Sequence, residues 1–188
     1  MTTTTLSPVL DSRRRARGFT LVEVLIGSTL GSFILLGVLS TFLFLGRSGA
    51  NLRNYSDMES QARKALETFA EDTRQASAVT WASATSVTLV VNSANITYDY
   101  ASGSFTRTVN SATTTLLTGI TTFSFLAYSI TGTAITDYST STALTTANGL
   151  TKQIQISLSA ARSTTTVTTA SNIVLSARYV MRNKHVTA

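Results

Sequence analysis

The sequence predicts an α+β protein: one long N-terminal helix, apolar in its first half and amphipathic in its second, packed on an antiparallel β-sheet head. Three observations predict it. Residues 19–45 form a single apolar run with no charge from Val24 onward. Between Leu52 and Val79, apolar side chains return mostly at three- and four-residue spacings. Beyond Thr80 that period vanishes, and short strand-like runs alternate with Asn, Ser, Gly and Thr clusters, the pattern of strands joined by turns.

The apolar run comes first. About 20 such residues in a helix span a bilayer core. The run is rich in Leu, Ile, Val and Phe and holds no proline. A cleaved secretory signal has an apolar core of about 7–15 residues closed by a small-residue site. This run is longer, and no Ala-x-Ala-like site closes it. Arg13, Arg14, Arg15 and Arg17 precede it. By the positive-inside bias that basic cluster stays cytoplasmic and the rest of the chain crosses the membrane. Half of the formal net charge of +6 sits in residues 1–18. The high pI of about 10.1 therefore argues only weakly for nucleic acid as a partner.

Glu23 breaks the run. An unpaired acid at membrane depth costs about 2.5–3.5 kcal/mol on insertion scales. Either it sits near the interface, protonated or snorkelling, or it meets a cation at depth. Gly27 and Gly31 stand four apart, a spacing that lets apolar helices pack closely and that general packing explains as well as a specific dimer site does. Gly46 and Gly49 flank Arg47 where the run ends and mark a soft point in the helix.

The stretch Arg17-Gly18-Phe19-Thr20-Leu21-Val22-Glu23-Val24-Leu25-Ile26 is similar, position for position, to the class III signal of type IV pilins and type II secretion pseudopilins. The resemblance implies a basic leader, residues 1–18, removed by a prepilin peptidase that cuts between Gly18 and Phe19. It implies N-methylation of the new first residue, Phe19. It implies that Glu23 is the charge partner during docking, meeting the N-terminal amine of another pilin or pseudopilin subunit. Physical chemistry agrees. Gly18 lets an extended backbone approach an enzyme closely, and Coulomb attraction at low effective dielectric draws a buried acid and amine into register.

Residues 19–45 then form the transmembrane and assembly helix, and residues 46–79 an amphipathic helix continuing into the head. Leu52, Tyr55, Met58, Ala62, Leu66, Phe69, Ala76 and Val79 make its stripe, with charged residues between them. Glu59 and Arg63 support each other at i,i+4, while Glu67 and Glu71 repel. At 1.5 Å per residue the whole helix measures some 90 Å.

The head is residues 80–188. Strands are expected near 86–91, 96–100, 105–109, 121–128, 153–159 and 174–181. Gly103 supplies the positive φ of a hairpin turn between the second and third. Residues 129–150 and 162–172 are poor in apolar side chains and rich in Ser and Thr, so they read as surface loops. The order of elements looks like the minor pilins and pseudopilins of the J-type and W-type group.

The sequence offers little catalytic chemistry. There is no cysteine, hence no disulfide and no thiolate metal site. His185 is the one histidine and lies near the C-terminus. Asp99 and Asp137 stand apart from other acids, and no calcium-ligand spacing or phosphate-binding glycine pattern occurs. Trp81 reads as a core residue, while Tyr98 and Tyr100 share a strand face that could be core or surface. No enzyme activity, cofactor or metal is expected. The expected role is a structural minor subunit of a type IV pilus or type II secretion pseudopilus, moving from the inner membrane into an extracytoplasmic filament. The competing role is a pilus-tip module contacting DNA or surfaces through Arg107, Lys152, Arg162, Arg178, Arg182 and Lys184, which requires those residues to cluster.

Overall fold

The structure, a computed structural model, describes residues 18–164 and 167–186, with the backbone alone over 162–164 and 167–171. The leader cluster Arg13, Arg14, Arg15 and Arg17 lies outside the described residues. One helix, α1 (Leu21–Gln75), is followed by six strands: β1 (Ala78–Ser83), β2 (Ser86–Val91), β3 (Ala94–Ala101), β4 (Ser104–Val109), β5 (Ala112–Thr118) and β6 (Ile120–Tyr128). Then come β7 (Ala134–Ile135), α2 (Ser141–Leu150), β8 (Gln153–Thr164) and β9 (Val167–Val180). This is a long N-terminal helix packed on antiparallel sheets, the α+β layout read from the sequence. The chain forms two compact units that divide between Leu45 and Gly46.

In the first unit the helix stands without cover. Nearly every side chain from 21 to 45 is exposed. The hydroxyls of Ser28, Thr29, Ser32 and Thr41 donate to carbonyls three or four residues back, so polar side chains within the apolar run are satisfied inside the helix.

In the second unit α1 buries Met58, Ala62, Ala65, Phe69, Ala70, Asp72 and Thr73. Packing begins at Met58, because Leu52 and Tyr55, which share the stripe, remain exposed. Glu59 accepts from Arg63 on the solvent side at 2.6 Å. Phe69 is the hub. Its ring meets Tyr98 and Phe105 of one sheet and Phe125 and Tyr179 of the other, so one aromatic side chain of the helix closes the core over both.

The first sheet has the order β1-β2-β3-β4-β5, the second β7-β6-β8-β9. Three of the hairpins in the first sheet turn on two residues with positive φ: Asn92 and Ser93, Ser102 and Gly103, Asn110 and Ser111. Two positive φ values in a two-residue loop match the right-handed strand twist. Val-Asn-Ser-Ala occurs at both the first and the third of these turns, a repeat whose asparagine tolerates the left-handed region. At Gly103 the positive φ disfavours a side chain, and a Cβ there would stand in tight contact, 3.3 Å, with the Ile120 carbonyl oxygen. The registers place Thr80, Thr88, Thr97, Thr108 and Thr113 in one rank across all five strands. Their hydroxyls pair at Thr88–Thr97 and Thr108–Thr113.

Several expectations need correction. The helix stops at Gln75, not near 79. Ala76 and Val79 fit the helical stripe by spacing, but Val79 and Trp81 alternate on β1 and face the core. A strand at 112–118 went unread because four consecutive residues of β5 are exposed, which hides any alternation. Residues 129–150 are not one loop. They hold β7 and α2, and α2 is hard to see because Thr, Ser, Asn and Gly fill it. Most of 162–172 belongs to the paired ends of β8 and β9, as the strand preference of Thr and Val allows.

Trp81 is a core residue, buried with its indole N–H donating to the Thr151 hydroxyl at 2.9 Å. Of the two tyrosines left open, Tyr98 is fully buried and Tyr100 stacks on Phe123 half-buried. Asp72 carries the polar link of the core: its Oδ2 accepts from the Tyr98 hydroxyl at 2.6 Å and from Arg107 Nε at 2.7 Å. Burial and the neighbouring carboxylate push the Tyr98 phenol far above its ordinary range.

The last residues tie the head together. Arg182 N–H donates to the Arg74 carbonyl and Asn183 Nδ2 to that of Gln75, which satisfies the open end of α1. Lys184 is buried, and its ammonium donates to the carbonyls of Asn148, Gly149 and Thr151 at the end of α2. Burial, and then Lys152 nearby, lowers its pKa from 10.5 to about 8. The unfolded chain therefore holds more protons between about pH 8 and 10.5, and stability rises with pH through that window. Urea midpoints measured at pH 7.5, 8.5 and 9.5 should climb for the native chain. The climb should be absent for Lys184→Met, which lacks that ammonium, and its midpoints should fall slightly toward pH 9.5 as buried tyrosines such as Tyr98 keep protons that the unfolded chain begins to lose.

Candidate functional site

The site is the start of α1. Gly18 and Phe19 are exposed and lie outside any helix or strand, and the helix begins two residues after Phe19. What fixes that start is a reciprocal pair of side chains. Glu23 N–H donates to the Thr20 hydroxyl at 3.2 Å, and Thr20 N–H donates to Glu23 Oε2 at 2.9 Å. The Thr20 hydroxyl also donates to Oε2, at 3.0 Å. Thr20 already accepts the first helical bond, from Val24 N–H. This is a capping box: threonine at the N-cap and glutamate three residues on satisfy two otherwise orphaned donors. The Thr-x-x-Glu spacing is legible in the sequence as Thr20-Leu21-Val22-Glu23.

The box has two consequences. It ends the helix just past the Gly18–Phe19 bond, leaving that bond in open backbone. It also gives the Glu23 carboxylate partners inside its own chain and sets it at the positive end of the helix dipole. Among the described residues both side-chain bonds to Glu23 go to Oε2, which leaves the Oε1 lone pairs for a cation. The surroundings are apolar: Phe19, Leu21, Val22, Val24, Leu25 and Ile26 are all exposed. One acid at the tip of a greasy helix is therefore the polar feature that a neighbour could recognise.

The basic residues of the head are held elsewhere. Arg107 pairs with Asp72. The guanidinium of Arg178 lies 3.4 Å over the Tyr128 ring and donates to Gln155. Lys152 donates to the Lys184 carbonyl, Lys184 caps α2, Arg182 is exposed, and the Arg162 side chain lies outside the described residues. Asp137 accepts from the Ser139 N–H and hydroxyl, which hold its carboxyl below the usual range. Among the described residues no three His, Asp or Glu side chains gather as a metal site.

Residues 13–39 match the family model of the prokaryotic N-terminal methylation motif. No curated protein matches the chain. The motif, the fold and the exposed apolar helix together support a type IV pilin-like protein. The motif implies processing by a prepilin peptidase and assembly with other pilins, and the helix fits anchoring in a membrane.

Proposed function

We propose that this chain is a minor structural subunit of a type IV pilus or type II secretion pseudopilus. Prepilin peptidase cuts between Gly18 and Phe19 on the cytoplasmic face and methylates Phe19. The head stands outside the cytoplasm, and the freed helix passes from the inner membrane into the filament. Glu23 docks on the terminal amine of a neighbouring subunit.

One observation carries this reading: a single acid, held by a capping box, opens an apolar helix whose side chains are exposed. Apolar surface of that extent must be covered by lipid or by other subunits. The large head, with no cysteine pair to close a C-terminal loop, supports the minor position. The Glu23 acid speaks against the pseudopilin tip type, which typically lacks it.

Intact-mass analysis of protein extracted from the host membrane tests the reading. The expected mass lacks residues 1–18 and gains one methyl group. A full-length mass, or a cut beyond Leu45, would overturn it.

A further inference from the structure

We propose that the C-terminal strap, Met181–Val186, is a latch that holds α2 over the open edge of β1, and that α2 is a hinged cover which detaches before the rest of the head unfolds. The premise is the position of β1 at the end of its sheet. An edge strand exposes unpaired N–H and C=O groups to any extended polypeptide. Here α2 packs along that edge, and the Trp81 backbone N–H donates to Asn148 Oδ1 at 2.7 Å. The edge donor is satisfied by a side chain of the cover, not by another strand.

The cover is weakly built. It has ten residues, three of them threonine, with a glycine and an asparagine near its end. A helix so short and so composed does not hold in water by itself. It buries one residue completely, Ala147. Besides Ala147 and the half-buried Leu144, which meet the apolar core, its fixings are polar: Thr140 at the N-cap accepts from Ala143 N–H, and the Thr151 hydroxyl joins it to the Trp81 indole. At the far end the Lys184 ammonium gathers the carbonyls of Asn148, Gly149 and Thr151. Four exposed carbonyls normally end a helix; here the strap's ammonium binds two of them, Asn148 and Gly149, together with the carbonyl of the C-cap Thr151. The strap is anchored in turn, since Met181 N–H donates to the Lys152 carbonyl and Asn183 to Gln75. Lys184 is thus a positioning residue for α2, and pulling it away frees the cover while leaving the apolar core around Phe69 untouched.

Hydrogen exchange on the full chain in detergent micelles tests this. In the native protein, amides of residues 143–151 should exchange at least tenfold faster than the slowest amides of β2, β3 and β4. In Lys184→Met they should speed up by a further tenfold or more while β2–β4 keep their rates, and the emission of Trp81, the single tryptophan, should shift to the red. Native protection of α2 equal to that of β3 would overturn the proposal. So would a Lys184→Met variant whose α2 and β3 amides accelerate together, because Lys184 would then support the fold as a whole.

Discussion

Glu23→Gln should leave the precursor folded and processed, and should abolish its recovery in sheared filaments. The substitution separates two roles that one side chain carries. Glutamine at the third helical position still closes a capping box with Thr20, so the helix still starts at Leu21 and the Gly18–Phe19 bond stays in open backbone. Only the charge is lost. A carboxylate and an amine about 4 Å apart at an effective dielectric near 20 attract by roughly 4 kcal/mol. That corresponds to about a thousandfold in the docking equilibrium, ample to remove a subunit from the filament. Mass analysis should show loss of residues 1–18, and immunoblots of the filament fraction should show none of the variant. Normal incorporation of Glu23→Gln would show that the acid serves the cap alone.

Asp72→Ala should lower the stability of the head by about 3 kcal/mol, near the bottom of the range for breaking a buried ion pair. The carboxylate is almost wholly covered and takes two short hydrogen bonds, from Tyr98 and from Arg107. Removing it strands a phenol hydroxyl in a fully buried site, where an unsatisfied donor costs about 1–3 kcal/mol. It also strands a guanidinium. The Arg107 side chain keeps 27% of its exposure, so water relieves part of that charge and holds the total near the lower figure. Urea denaturation followed by far-ultraviolet dichroism gives the measurement. Asp72→Leu combined with Arg107→Met should cost clearly less than the sum of the two single changes, because the pair leaves together and no charge is left behind. Strictly additive losses would mean that the two residues contribute independently.

The parts of the molecule differ in how openly their residues declare them. The apolar helix and the Gly18–Glu23 signal are legible because each depends on residues adjacent in the chain. The β3–β4 hairpin is legible for the same reason: the Ser102-Gly103 turn allows positive φ, and aromatic and β-branched residues flank it. The end of α1 is not, because Ala76 and Val79 satisfy a helical period and a core-facing strand position equally well. Helix α2 stays hidden because the partners that hold it, Lys184 and Trp81 of β1, each lie more than thirty residues away. The Asp72–Tyr98–Arg107 link is hidden likewise. Each residue taken singly is an ordinary surface type, and only the packing of α1 against the first sheet turns them into a buried cluster. In the candidate site, the acid Glu23 and the glycine proposed for cleavage, Gly18, are apparent, while the hydroxyl of Thr20 becomes meaningful once the helix start is drawn.

The turns of the first sheet bear on how the chain assembles in time. Each of its five strands pairs only with the strand next to it in sequence, and all four connections are two residues long. Closing such short loops costs little chain entropy, and topologies made of near neighbours fold fast. The second sheet must bring β6 and β8 together across β7 and α2. A head emerging N-terminus first across a membrane would thus complete one sheet while the other still lacks its strands. That leaves the first sheet as a template on which the remainder condenses, and it shortens the interval in which bare strand edges could meet those of another chain.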